Sequence, residues 1–348
     1  MPYLTATGQI RVLEKKLLDA TDIERMVDAK NTEQAFKVFS DTDLADNLLD
    51  VKMEEYGKAL DDDLGQTKKF LEKATPNKDL VRLLFLEQDF HNIKLLLKQR
   101  YFELDLTGDL SNVGTIKADD LKAYVLNKEN RNKKLETRDT DNADVSEIID
   151  KMVTEFDMKK NDSNNPLSPS EIDLKLDKEY FELSLSLAKE IKNDFILDFT
   201  RRQIDVVNIR SLLRVKNLKT PSTDSGSRLR LEDLLVDGGQ IELKKLSSFL
   251  EKDVDELTAF LKGYLTRSQE KFLQEYSEKK NLWQLEKGFD DLETDYIKHT
   301  KWMSYGSEII FGYWYAKKNA ARNVRLIMTG KLNNIPADEI KQRVRDIF

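Results

Sequence analysis

The chain has no cysteine, which removes disulfides, thiolate nucleophiles and cysteine-based zinc sites from consideration and fits a reducing compartment. Glycine (13) and proline (6) are scarce in 348 residues, too few to punctuate the short strands of a sandwich or a doubly wound sheet. Only two histidines occur, and His91 has no second ligand spaced to join it, so it is read as packing or a surface hydrogen bond against the alternative of a metal or acid–base group. No apolar run approaches the roughly 18 residues a bilayer-spanning helix needs. Met1-Pro2-Tyr3-Leu4 leads into charged sequence without a basic-then-apolar signal segment, so the expectation is a soluble, cytoplasmic protein. The net charge is −7, with Lys and Arg interspersed among Asp and Glu, and no clustered basic footprint for nucleic acid is present.

Site chemistry is equally sparse. A phosphate-cradling loop is missing: Gly330-Lys331 is followed by Leu332, and Arg325 stands where the first glycine belongs. Asp139 to Asp144 resembles the start of a calcium loop, but Asp144 occupies the position that requires glycine and Asp150 the position of the bidentate glutamate. Carboxylates are abundant, yet no pair stands out as a catalytic dyad. No catalytic residue, cofactor site or metal site is therefore assigned.

What the chain does contain is a repeat. Asn92-Ile93-Lys94-Leu95-Leu96-Leu97, Asn208-Ile209-Arg210-Ser211-Leu212-Leu213 and Asn323-Val324-Arg325-Leu326-Ile327-Met328 share one pattern. Each has a base two residues past the Asn (Lys94, Arg210, Arg325) and another eight past it (Arg100, Lys216, Lys331). The asparagines lie 116 and 115 positions apart, so three units of this period account for nearly the whole chain. A unit of that length is a small domain with its own core, not a solenoid hairpin. The expected fold is all-α: three similar helical domains, at 1–112, 113–236 (with a charged insertion near 127–170) and 237–348.

The apolar residues at offsets one, four and five from each Asn gather on one face of a helix. The Asn sits at the edge of that face, where its amide must find partners. It is read as a structural group fixing a neighbouring loop, against the alternative of a ligand-binding asparagine used three times. A secondary repeat supports the period: Gly114 and the Gly238-Gly239 pair each precede a helix start, with a weaker glycine-free counterpart near Asp19.

Other elements follow from spacing and caps. Thr21 with Glu24 signals a helix starting near Asp22, Thr32 begins another, and Phe36 to Leu49 has helical spacing. Helices are expected over Lys52–Ala74 and Leu80–Tyr101, then a short one over Val145–Phe156 between polar loops, which are read as solvated surface against a specific binding tail. A long helix over Leu174–Leu218 is interrupted near Asp194 and followed by a loop at Thr220–Ser227. Leu243–Gly263, Ser268–Lys279 and Leu282–Thr300 come next, then Trp302–Thr329 stopped by Gly330, and a terminal helix with Pro336 in its first turn running to about Phe348.

Ile10 to Leu18, Phe85 to Lys98 and Ala321 to Pro336 resemble the corresponding segments of the C subunits of the archaeal and bacterial V-type (A-type) ATPases, the counterparts of the eukaryotic d subunits. The resemblance runs from end to end of the chain. It implies a funnel of three helical domains around a pseudo-three-fold axis, seated on the membrane rotor ring and receiving the tip of the central axle. On that reading the partners are the axle subunits D and F and the membrane rotor ring subunits, with one monomeric copy per complex on the cytoplasmic side. The role implied is non-catalytic torque coupling in ion transport. The charged 127–170 stretch departs from the family's more compact pattern. The competing readings are a helical scaffold or adaptor unconnected with rotation and, less favoured by the absent site chemistry, an enzyme.

Overall fold

Every regular element among the described residues is helical, as a sequence so poor in strand punctuation requires. The structure is a computed structural model that describes residues 3–38, 55–127, 143–160, 166–218, 231–264, 270–279 and 281–348. They fall into two compact units, one built from Met1–Pro76 with Lys252–Phe348, the other from Asn77–Glu251.

The first unit opens with α1 (Leu4–Leu13), α2 (Ala20–Asp28), α3 (Thr32–Lys37) and α4 (Tyr56–Ala74). The cap of α2 lies earlier than Thr21 and Glu24 suggest. The Asp19 carboxylate accepts the Asp22 N–H at 2.9 Å and the Asp22 side chain accepts the Asp19 N–H at 3.2 Å. An aspartate in extended backbone is a stronger acceptor for the orphan amides than the threonine two residues on. Most of Phe36–Leu49 lies outside the described residues.

The second unit contains α5 (Lys78–Phe102), α6 (Ala118–Leu126), α7 (Ala143–Lys159), α8 (Pro169–Ile191), α9 (Asp194–Leu218), α10 (Leu231–Leu234) and α11 (Leu243–Ser247). Its principal packing is α5 against α8, with α9 beside α8. The interruption expected near Asp194 is sharp: Lys192 adopts the left-handed conformation that ends α8, and Asn193 caps α9 through the Ile196 N–H at 3.1 Å. The helix between the polar loops is longer than Val145–Phe156, and its face of Val145, Ile149, Met152, Val153 and Phe156 is fully buried. The two polar stretches around it, and the loop at 220–227, lie largely or wholly outside the described residues.

The remainder of the first unit is α12 (Val254–Leu261), α13 (Lys271–Lys279), α14 (Leu282–Lys298), α15 (Ser307–Leu332) and α16 (Ala337–Arg343). Helix α15 is its axis: α1 to α4, α14 and α16 all pack on it, and Phe311, Trp314, Val324, Ile327 and Met328 are buried along it. The helix expected over Leu243–Gly263 is split into α11 and α12 by the turns at 248–253, and three further boundaries differ from expectation. Residues 299–302 form a separate 3₁₀ turn, and α15 begins only after Gly306, whose φ of 140° admits no other residue readily. Gly330 does not stop α15 but lies within it. A Cβ there would come within 2.7 Å of Ile340 Cδ1, so the glycine makes room for α16. Pro336 caps α16, which ends at Arg343. Val344 beyond it is extended, and the main chain of Arg345 and Asp346 is bonded to side chains of α15 and α14.

One charged pair is sealed inside this unit. Lys317 on α15 meets Asp63 on α4 at 2.7 Å, with side-chain exposures of 4% and 10%. Removing one partner of a buried pair costs more than the pair contributes, because the remaining charge stays desolvated. Lys317→Met is therefore expected to lower stability by about 3–5 kcal/mol in urea unfolding, and adding Asp63→Leu should recover most of the loss.

Candidate functional site

The repeated asparagines lie on α5, α9 and α15, the longest helices of their units, and all three are buried. Each grips the main chain of one residue from both sides. Asn92 Nδ2 donates to the Ser111 carbonyl at 2.8 Å and its Oδ1 accepts the Ser111 N–H at 2.8 Å. Asn208 makes the same pair with Val236 at 2.9 and 2.8 Å, and Asn323 with Arg345 at 2.9 and 2.9 Å. A primary amide carries a donor and an acceptor on one short planar group, so it satisfies both halves of a peptide residue at once. An aspartate would lack the donor, and a glutamine would need a different reach.

The base eight residues on closes the next element. Arg100 Nη1 donates to the Val125 carbonyl at 2.9 Å, at the end of α6. Lys216 Nζ donates to the Phe249 and Leu250 carbonyls, each at 2.9 Å, just beyond α11. Lys331 Nζ donates to the Val27 and Ala29 carbonyls at 2.5 and 2.6 Å, at the end of α2. In each case a cation meets the orphan carbonyls and the negative dipole end of a short helix. The third set runs from the C-terminal part of the chain to its N-terminal part, inside one compact unit.

The nearer bases reach neighbouring helices instead. Lys94 forms an ion pair with Asp177 of α8, and Arg325 one with Asp61 of α4. Arg210 is half-buried on α9.

Two participants escaped the sequence reading. Asp89, three residues before Asn92, accepts the Thr115 and Ile116 N–H groups at 3.0 Å each. Asp205, three before Asn208, accepts the Gln240 and Ile241 N–H groups at 3.0 Å each. The glycines of the secondary repeat now have their reason: a Cβ on Gly114 or Gly239 would lie 2.2 Å from the carboxylate oxygen of Asp89 or Asp205. In the third set Ala320 replaces the aspartate, and the position three past the clamped Arg345, which matches Gly114 and Gly239, is Phe348. The signal was present as Asp-x-x-Asn in two of three repeats. Burial pushes the Asp205 carboxyl up from its ordinary value, although its bonds to the Ile241 and Gln240 amides pull the other way.

The polar groups of this arrangement thus engage the protein's own main chain. Among the described residues no group of three or more His, Asp or Glu is placed to hold a metal ion, and no helix is long and apolar enough to cross a membrane.

Comparison with known proteins gives one family. The model of the ATP synthase (C/AC39) subunit family matches residues 6–343. The chain is 24% identical to the A-type ATP synthase C subunit of Methanocaldococcus jannaschii, over 98% of this chain and 85% of that protein. It is 20% identical to the V-type sodium ATPase C subunit of Enterococcus hirae, over 100% of this chain and 99% of that protein. The A-type ATP synthase C subunit of Thermococcus onnurineus is 25% identical over 72% of this chain and 65% of its own length.

Two measurements follow from the geometry. Asn208→Ala leaves the Val236 N–H and carbonyl buried without partners and should lower the stability of the chain by about 1–3 kcal/mol in urea unfolding. Asp205 holds its proton more tightly folded than unfolded, so its contribution to stability falls as pH rises from its unfolded value near 3.8 through the raised folded value. The stability of the parent chain minus that of Asp205→Asn should therefore decrease with rising pH across that window, and a flat or rising difference would contradict the assignment.

Proposed function

The chain belongs to the ATP synthase (C/AC39) subunit family, and from that premise we propose that it is a non-catalytic central-stalk subunit of a rotary ATPase, joining the soluble axle to the membrane rotor ring. The observation that carries the proposal is the family match over 6–343, together with relatives named as the C subunits of A-type and V-type enzymes. The partners on this reading are the axle subunits D and F on one side and ring subunits on the other. One copy acts as a monomer within each complex, peripheral on the cytoplasmic side. The repeat supports three helical units, 1–112, 113–236 and 237–348, and the family resemblance implies their arrangement as a funnel around an axis that receives the axle tip.

The physical requirement of such a part is stiffness. An adaptor between two partners of unlike symmetry must pass torque without yielding, and close-packed helical interiors transmit strain. The asparagine clamps serve that requirement, since Asn92 and Asn208 each fix the connector between a long helix and a short one, and Asn323 fixes the chain just past α16. Contacts with the partners would follow the usual anatomy, with aromatic and Arg residues at the interface centres.

Reconstitution of the complex without this chain tests the proposal. ATP hydrolysis should persist while ATP-driven ion transport is lost; transport continuing at the normal rate would refute the coupling role. The isolated chain should also show no tight nucleotide site in calorimetric titration, given the missing phosphate loop.

A further inference from the structure

The charged region that interrupts the repeat holds an ordered device. Helices α7 and α8 are joined by three ion pairs whose residue numbers step by four in opposite directions: Lys151 with Glu179, Glu155 with Lys175, and Lys159 with Glu171. The signs alternate along each helix, Lys-Glu-Lys on α7 and Glu-Lys-Glu on α8. Glu171 and Glu179 are largely buried, at 1% and 12% side-chain exposure, so these pairs are not the wholly solvated kind that contributes nothing. The ion pairs between α5 and α8 are arranged otherwise. Lys94 meets Asp177 and Lys98 meets Asp173, so each helix carries one sign only.

The two patterns have different consequences for sliding. If α5 slipped one turn along α8, one Lys–Asp pair would still match. If α7 slipped one turn in either direction, Glu155 would face a glutamate and a lysine would face Lys175, leaving two like-charged pairs in place of three attractive ones. The apolar face of α7 discriminates less in one direction. Its buried residues Val145, Ile149, Met152, Val153 and Phe156 recur every three or four positions, so a one-turn shift that brings Val145, Ile148, Ile149 and Met152 into four of those places keeps most of the stripe apolar. Polar anchors to α5 and α6 also fix points along α7: Arg82 to Asp144, Tyr101 to Asp157 and Tyr124 to Asp150.

We propose that the alternating ladder between α7 and α8 is a register lock, which sets α7 against α8 where the apolar spacing alone leaves a neighbouring one-turn position largely apolar. Attraction in one register and repulsion in its neighbours both discriminate, and the ladder is the feature here that supplies the repulsion. The anchors to α5 and α6 hold α7 down but do not supply that repulsion.

The test separates attraction from alternation. In Glu155→Lys/Lys175→Glu every native pair remains attractive, but α7 becomes all lysine and α8 all glutamate along the ladder, so a shifted register keeps two attractive pairs and meets no like charges. Because the chain has no cysteine, introduced thiols report alone. Ile148→Cys with Glu182→Cys marks the native register by the same numerical step, and Ile148→Cys with Ser186→Cys or Lys178→Cys marks registers one turn away. With the native charges, a short bis-maleimide applied to the whole chain should link only the native-register pair. In the double swap the native and shifted pairs should both be linked, the shifted yield rising at least about tenfold for a lost discrimination of about 1.4 kcal/mol, while the unfolding midpoint falls because the swap places like charges four residues apart within each helix. Linkage of the native pair alone in the double swap would show that apolar packing or the anchors set the register, and would overturn the proposal.

Discussion

A buried carboxamide that holds both the N–H and the carbonyl of a single residue is the interaction on which this structure depends. Long helices are stabilised along their lengths by apolar burial, but burial is indifferent to where the chain goes after a helix ends. The junction is where a polar main chain must pass close to the core, and each main-chain group left there without a partner would cost about 1–3 kcal/mol. Asn92, Asn208 and Asn323 answer both needs with one side chain, removing two unsatisfied groups and fixing the path of the connector. The bases eight residues on then tie down the far end of the short helix that follows in space. In the first two sets helix, connector and short helix become one body.

The same interaction accounts for the pattern of glycines and aspartates around it. Where an aspartate precedes the Asn by three residues, its carboxylate needs two main-chain N–H groups at close approach, and only glycine leaves space for them. Where the aspartate is absent, at Ala320, the glycine is absent as well. The two substitutions are one event physically: a carboxylate without its amides would be buried and unsatisfied, and a glycine without its carboxylate would add chain entropy for no return.

Much of this was legible in the sequence. The all-α class follows from composition, and the asparagines and their trailing bases are visible as a repeat of 116 and 115 residues. The helix break expected near Asp194 falls at Lys192–Asn193, and the helix expected from Leu80 starts two residues earlier at Lys78, where Asn77 caps it. What the sequence hid was of one kind, namely choices decided by tertiary neighbours. Gly330 carries the usual mark of a helix stop, yet its role is to admit Ile340. The run after Arg343 has the composition of a continuing helix, yet Asn323 and Asp291 claim its main chain. Asp19 and Thr21 both offer capping oxygens, and the stronger acceptor in extended backbone prevails. The charged 143–159 helix has an ordinary polar surface on paper, and only its partner α8 turns those charges into an ordered ladder.

Amide hydrogen exchange at Ser111, Val236 and Arg345 in the intact chain tests the central claim most directly, because each of these N–H groups has its bond to an asparagine Oδ1. If the clamps hold the three junctions as rigid parts of the fold, these amides exchange only when the surrounding unit opens, with protection matching the mid-helix amides of α5, α9 and α15. Exchange at the rate of exposed loop amides, while those helices remain protected, would contradict the account.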